Sequence, residues 1–157
     1  DPAPLAEQAK KIGIETSPDD RWDDIYFRIA YEKIEPHLGL DGRPTILYDY
    51  PVCMAALSRR KPSDERLAER FEVYASGIEL ANAFSELTDA KEQRERFEHD
   101  MDLKEKLYGE RYPIDEDFIA AVAAMPPAAG IAVGIDRLVM LITGASRIED
   151  VLWAPVA

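Results

Sequence analysis

The sequence predicts an α+β fold, and three local patterns support this prediction. Two runs of alternating apolar residues within 70–84 flank Ser76 and Gly77, a pair that is typical of a hairpin turn. A β-branched, glycine-rich run at 130–135 is typical of another strand. Between them, residues 89–108 begin with a capping pattern and continue with a helical stripe. Strands and helices therefore share one chain.

The N-terminal third predicts two helices and a strand. Residues 3–12 form the first helix, and Asp19 and Asp20 are suited to cap a second one that ends near Pro36. Residues 44–51, PTILYDYP, have strand character and are bounded by prolines. The first part of the chain thus leads from helices into the sheet.

The remaining elements follow from charge, proline and glycine. Residues 58–69, SRRKPSDERLAE, are expected to be a charged connector before the hairpin. After the long helix, a shorter helix covers 115–124 and stops before two prolines. The strand at 130–135 is followed by a helix that begins at Asp136 and runs through Leu141.

Composition excludes several classes of protein. The chain has 157 residues, of which 46% are hydrophobic and 32% charged, a balance typical of a globular domain. Its net charge of −12 disfavours a phosphate-gripping nucleic-acid surface. The single Cys53 cannot form an intrachain disulfide, and no apolar run approaches the length of a membrane span. We therefore expect a protein of the reducing cytoplasm with no membrane partner.

Two glutamates in the hairpin give the first chemical indication. If Ala75 and Ser76 form the two-residue loop, Glu72 lies directly opposite Glu79 on one face of the sheet. Two facing carboxylates repel each other unless a cation or a proton intervenes. Mg²⁺ commonly shares such carboxylates with phosphates. The alternative is a different register, in which both glutamates face solvent.

The stretch GIAVGIDRLVML, residues 130–141, gives the second indication. Glycines within a strand indicate that a ligand or another backbone lies against it, here at Gly130 and Gly134. Arg137, just beyond the strand, has the planar side chain that suits phosphate oxygens. The alternative is a tightly packed core strand with a surface arginine. The P-loop pattern G-x-x-x-x-G-K-[ST] is absent.

Taken together, the two stretches resemble a known family. RFEVYASGIELANAFSEL, followed by GIAVGIDRLVMLITG, resembles the C-terminal half of class II lysyl-type aminoacyl-tRNA synthetases. The second stretch resembles the third motif of that class. Within the family, the subgroup that modifies elongation factor P is more similar. True lysyl-tRNA synthetases usually carry Arg at position 78 and Gly at positions 81 and 132, where this chain has Ile78, Ala81 and Ala132.

The resemblance implies a class II synthetase catalytic fold, in part, with an antiparallel sheet flanked by helices. It further implies the use of ATP and Mg²⁺. Glu72 and Glu79 would hold the metal between the ATP phosphates, with Glu79 also close to the substrate. Val73 and Gly134 would lie against the nucleotide. Arg137 would stabilise the γ-phosphate and the pyrophosphate leaving group. Glu72, Glu79 and Arg137 are thus the candidate catalytic residues.

The same resemblance implies a pocket for a lysine-type amino acid. Asn82 would hydrogen-bond the substrate carboxylate, Phe84 would pack along the aliphatic stem, and Glu86 would receive the side-chain ammonium. Phe84 has the alternative of being plain core. Ala132 would crowd the α-amino group, which favours (R)-β-lysine over α-lysine. The family has Gly at position 83, where this chain has Ala83, and a regular strand would place Glu79 opposite to the pocket residues, so a bulge is required.

The family's first two motifs, which carry a dimer strand and an arginine for the α-phosphate, are absent from residues 1–43. We therefore expect 1–157 to be the C-terminal part of a catalytic domain that is a homodimer at full length. The expected product is a lysine-type adenylate whose aminoacyl group passes to a lysine of elongation factor P. The alternatives are a lysyl-tRNA synthetase that charges tRNA, and a non-catalytic synthetase-like binding module.

Overall fold

The computed structural model describes residues 1–154 and contains both helices and strands. The helices are α1 (Ala3–Lys11), α2 (Trp22–Ile29), α3 (Ala90–Tyr108), α4 (Glu116–Ala124) and α5 (Ile135–Thr143). The strands are β1 (Thr45–Pro51), β2 (Arg60–Lys61), β3 (Asp64–Ala75), β4 (Ile78–Ser85) and β5 (Ala129–Val133). The α+β prediction is confirmed. No helix within these residues is long and apolar enough to cross a membrane.

The five strands form one sheet in the order β1-β3-β4-β5, and β2 pairs with β3. The prediction of a connector at 58–69 is wrong for most of its length. Lys61 lies opposite Asp64 in an antiparallel pair, so β2 and β3 form a hairpin of their own. β3 thereby extends over twelve residues. Its outer half carries charged side chains, such as Glu69, which lies 2.6 Å from Arg59 before β2. These charges hid the strand's alternation.

Backbone contacts divide the chain into two compact units. The first contains Asp1–Leu47, Glu72–Asn82 and the chain from Ala132 onward. The second contains Tyr48–Phe71 and Ala83–Ile131. The candidate carboxylate pair and Arg137 all belong to the first unit.

In the first unit, α1 packs on α2 around an apolar core. Ala9, Ile14 and Ile25 are almost fully buried there. The expected caps of α2 are replaced by a capping box between Arg21 and Asp24. Asp20 instead accepts two hydrogen bonds from Arg28, of 2.6 and 2.8 Å, so that its carboxylate ties the loop to the helix.

The tip of the β3–β4 hairpin is held by the segment before β1. The N–H groups of Ser76 and Gly77 donate to the carbonyls of Gly39 and Leu38, at 2.8 and 2.9 Å. A Cβ atom on Gly39 would lie 2.6 Å from the Cα of Ala75, and the φ of Gly39 is +68°. Only glycine fits this position without displacing the hairpin.

In the second unit, α3 packs against α4, with the rings of Phe97 and Phe118 5.7 Å apart. Asp89 caps α3 as predicted, because its carboxylate accepts from the N–H groups of Lys91 and Glu92. The Glu92 side chain does not return to the cap. It binds Arg60 and Arg96, at 2.6 and 2.7 Å, and so holds the start of the helix to the rest of the unit.

Candidate functional site

The turn of the hairpin that carries Glu72 and Glu79 lies one residue later in the chain than the facing of these two glutamates required. β3 ends at Ala75 and β4 begins at Ile78, so that Ser76 and Gly77 form the loop. Both have positive φ, 52° and 73°, as a type I′ turn requires. The expectation of an Ala75-Ser76 loop, with Glu72 directly opposite Glu79, is therefore wrong. Gly77 decides the register because it takes the left-handed conformation without steric cost.

The hairpin is irregular beyond this turn. Strict alternation from the turn places Asn82 and Glu72 on opposite faces of the sheet. In the structure the Asn82 side-chain amide donates to Glu72 Oε1 at 3.3 Å, so both side chains share one face. An extra residue in one strand of the hairpin, a β-bulge, would account for this departure from strict alternation. The bulge that the sequence argument required between Glu79 and Asn82 stays a prediction.

Glu72 is a buried carboxylate with both oxygens engaged. Only 7% of the residue is exposed. The Tyr74 hydroxyl donates to Oε2 at 2.6 Å, and Asn82 Nδ2 donates to Oε1. Burying a carboxylate is costly unless such donors replace its water. The Tyr74 hydroxyl and the Asn82 amide thus help to fix the orientation of Glu72.

Arg137 lies over Glu79. Its Nη1 donates to the main-chain carbonyl of Glu79 at 2.8 Å and to the Glu79 carboxylate at 3.3 Å. Gly134 caps α5, and a Cβ atom there would lie 3.2 Å from Cδ of Arg137. Gly134 thus makes room for the arginine side chain, which remains 46% exposed.

The pairing of β5 with β4 places Ala132 beside this group. The N–H of Gly134 donates to the carbonyl of Leu80 at 2.9 Å. In an antiparallel pair, Ala132 then lies opposite Asn82. Val73, between Glu72 and Tyr74 on β3, is half-buried.

The other predicted pocket residues belong to the second unit. The N–H of Glu86 donates to the carbonyl of Ala128 at 3.0 Å, which places Phe84 opposite Gly130. A Cβ atom on Gly130 would lie 2.8 Å from Oε1 of Glu86, so the Glu86 side chain covers this glycine. Phe84 is half-buried and lines a cavity of about 460 Å³ with Arg70 and other residues.

The sequence of this chain matches a known family over most of its length. The family model of class II tRNA synthetases (D, K and N) matches residues 9–157. The chain belongs to this family. The predicted resemblance and the predicted fold class, an antiparallel sheet flanked by helices, are confirmed.

Three curated relatives of this chain represent two kinds of ligase. Two elongation factor P–(R)-β-lysine ligases, from Proteus mirabilis (strain HI4320) and Klebsiella pneumoniae subsp. pneumoniae, are each 44% identical over 155 residues. These matches cover 97% of this chain and 47% of each relative. A lysine–tRNA ligase from Dehalococcoides mccartyi (strain CBDB1) is 43% identical over 153 residues, which is 96% of this chain and 30% of that relative. The chain spans less than half the length of these relatives.

The donor chemistry of this synthetase chain fits Mg²⁺ shared with phosphates. Within residues 1–154 no group of three or more His, Cys, Asp or Glu side chains could hold a metal by itself. Mg²⁺ in nucleotide sites is commonly bound by one or two carboxylates, with phosphate oxygens and water completing the shell. Glu72 and Glu79 supply two carboxylates on one hairpin, and an all-protein cage is not required.

Two residues of the first unit were not found from the sequence. Tyr74 stands two positions after Glu72, so strand alternation could have placed it on the same face. Glu35 lies far away in the chain, and no local pattern connects it with the hairpin. Burial, reinforced by the negative charges of Glu72 and Glu79, raises the pKa of Glu35 above its ordinary value. The first unit thus concentrates negative charge around the hairpin.

Glu35→Gln should make the protein more stable at neutral pH. Because its pKa is raised in the folded state, Glu35 favours folding while it is protonated, below its unfolded value of 4.5. That contribution is lost as pH rises through the folded pKa. We expect the variant to melt about 1–2 °C higher at pH 7, with the difference vanishing below about pH 4. Melting curves over this range test it, with exposed Glu32→Gln as the control. A difference independent of pH would contradict it.

Proposed function

We propose that this chain is the C-terminal part of the catalytic domain of an ATP-dependent ligase that activates a lysine-type amino acid. The placement of the third synthetase motif at 130–141 belongs to this proposal. In the first step the substrate carboxylate attacks the α-phosphorus of ATP, which forms the aminoacyl-adenylate and releases pyrophosphate. The observation that carries the proposal is the pairing of Asn82 with Glu72 and of Arg137 with Glu79 in a chain of this family.

The proposed roles of these residues follow from the charges of their side chains. Glu72 and Glu79 would hold Mg²⁺, which offsets the phosphate charge when it is bound. Arg137 would contact the departing pyrophosphate through the guanidinium nitrogens that Glu79 leaves free. Val73 and Gly134 would border the nucleotide. These roles follow the family's third motif and its acidic hairpin.

We propose that the acceptor of the aminoacyl group is a lysine of elongation factor P. In the second step, the ε-amino group of an acceptor lysine attacks the adenylate carbonyl, so that an amide forms and AMP leaves. The support is the similarity to the ligases of Proteus and Klebsiella, and Ala132 where lysyl-tRNA synthetases usually have glycine. Asn82, Phe84 and Glu86 are proposed to read the amino acid. We further propose that the full-length protein is a homodimer of the cytoplasm.

The second candidate is a lysine–tRNA ligase. The Dehalococcoides relative, at 43% identity, favours it almost equally. The two functions differ in both the amino acid and the acceptor, so one set of assays separates them.

The test is ATP–pyrophosphate exchange by the full-length protein with L-α-lysine, (R)-β-lysine and (S)-β-lysine, followed by transfer assays. The proposal expects the fastest exchange with (R)-β-lysine and a mass increase of elongation factor P. Preference for α-lysine together with charging of tRNA would establish the second candidate. No exchange with any isomer would favour a non-catalytic binding module.

Ala132→Gly should narrow the preference between the lysine isomers. The methyl group of Ala132 lies on the strand position opposite Asn82, and its removal gives room for an α-amino group. One methyl group is worth about 1–3 kcal/mol in discrimination, so we expect the ratio of kcat/KM for (R)-β-lysine over α-lysine to fall about tenfold.

The matched control for this prediction is Ala129→Gly, which removes an exposed methyl group from the same strand. It should leave the isomer ratio unchanged. If Ala132→Gly lowers only the melting temperature, Ala132 is a packing residue and the pocket assignment fails.

A further inference from the structure

Two hydrogen bonds to the carboxylate of Glu72 differ in length. The Tyr74 hydroxyl donates at 2.6 Å, whereas Asn82 Nδ2 donates at 3.3 Å. Short hydrogen bonds to a carboxylate are about twice as strong as neutral ones. The contact with Tyr74 is therefore the stronger of these two hydrogen bonds.

The Asn82 amide has its orientation set by the same carboxylate. Glu72 only accepts hydrogen bonds when ionised, so Nδ2 must face it and Oδ1 must point away. Oδ1 is buried and has no hydrogen-bond partner within the part of the chain that the structure describes. Asn82 thus supports Glu72 through a longer hydrogen bond than Tyr74 does.

Tyr74 is itself held firmly. Only 2% of the residue is exposed. Its main chain lies beside Gly39, where a Cβ atom would come within 2.7 Å of the Tyr74 carbonyl oxygen. The ring has few torsional freedoms, so its hydroxyl is delivered to one place. A rigid donor two residues from a carboxylate restricts the directions in which that carboxylate can point.

We propose that Tyr74 is a positioning residue for Glu72, whose hydroxyl presents the Glu72 carboxylate to Mg²⁺ in a fixed orientation. This inference rests on the proposed function, in which Glu72 holds the metal. Carboxylate ligands are commonly oriented by hydrogen bonds from outside the coordination shell, and loss of such a partner typically costs 10–100-fold in metal affinity or activity. Tyr74 acts through Glu72 and does not touch the metal or the substrate.

Tyr74→Phe tests the proposal because it removes the hydroxyl and keeps the ring. In the full-length protein we expect Mn²⁺ affinity, measured by paramagnetic resonance with a non-hydrolysable ATP analogue, to fall about tenfold. The Mg²⁺ concentration for half-maximal pyrophosphate exchange should rise by the same factor. The exchange rate at saturating Mg²⁺ should recover to within about threefold, since the reacting groups are unchanged.

Two other tyrosines provide matched controls. Tyr31→Phe removes an exposed hydroxyl from the first unit, and Tyr50→Phe removes a buried one from the second unit. Neither should alter the metal affinity. A melting temperature lowered equally in Tyr50→Phe and Tyr74→Phe, with a metal effect in Tyr74→Phe alone, separates positioning from general stability.

A double-mutant cycle shows whether Tyr74 acts through Glu72. In a Glu72→Gln background, Tyr74→Phe should cause no further loss of Mn²⁺ affinity. Additive losses, or unchanged affinity in Tyr74→Phe alone, would overturn the inference while leaving the proposed function intact. If the unaltered protein shows no metal-dependent ATP binding, the proposed function itself fails.

Discussion

Glu72→Gln is expected to lower the rate of ATP–pyrophosphate exchange about 10²–10³-fold, the scale of removing one preorganised electrostatic group. The substitution removes a negative charge that would meet Mg²⁺ and keeps the volume of the side chain. Tyr74 can still donate to the remaining carbonyl oxygen. The new amide then faces Asn82 Nδ2, and two donors in contact cost some stability but not the fold. The exchange rate and the near-ultraviolet circular dichroism measure the two effects.

Glu65→Gln is the matched control, because Glu65 is an exposed glutamate on the same strand. It should leave both measurements unchanged. Glu79→Gln should behave like Glu72→Gln in exchange, since it removes the second carboxylate. Wild-type exchange in both of these variants would remove the metal assignment.

Arg137→Lys should slow adenylation about 10–100-fold. In the structure one nitrogen, Nη1, makes both bonds to Glu79. No hydrogen bond within residues 1–154 engages Nε or Nη2, and the side chain is 46% exposed. The guanidinium can therefore hold Glu79 and face phosphate oxygens together, whereas a lysine ammonium is a point charge that cannot span both.

The measurement is single-turnover adenylate formation, with kcat and KM for ATP obtained separately. Because the lost contact serves the transition state, kcat should fall more than the ATP affinity. Arg147→Lys is the control, as Arg147 is largely exposed and its ion pair is with nearby Glu149. A wild-type rate for Arg137→Lys would show that its side chain serves Glu79 alone.

Local chemistry predicted most of the fold. The Asp89 cap and the Ser76-Gly77 turn are decided by neighbouring residues, and they lie where the sequence places them. β3 was underestimated because its outer half is charged and is stabilised by pairing with β2, which the local pattern does not show. The start of α2 was misplaced because Asp20 is recruited by Arg28, eight residues further on.

The candidate site was predicted less completely, for the same reason. Glu72, Glu79 and Arg137 were singled out from local residue patterns and given roles by the family resemblance, and the structure joins Arg137 to Glu79 in space. The register error followed from moving the loop by one residue. Glu35 stayed hidden because only tertiary folding brings its charge close to the hairpin. Contacts between residues far apart in the chain, unlike turns, cannot be predicted from the adjacent residues.

The tie between Gly39 and the hairpin tip has a consequence for protein engineering. Hairpin tips usually tolerate inserted labels or lengthened loops. Here the tip donates two backbone hydrogen bonds to residues 38 and 39, and there is no space for one added carbon at Gly39. A reporter peptide placed after Ser76 would detach the tip and release the strands that carry both glutamates. The exposed turn after α3, around Gly109, where an added Cβ would meet nothing within 4 Å, is the better insertion site.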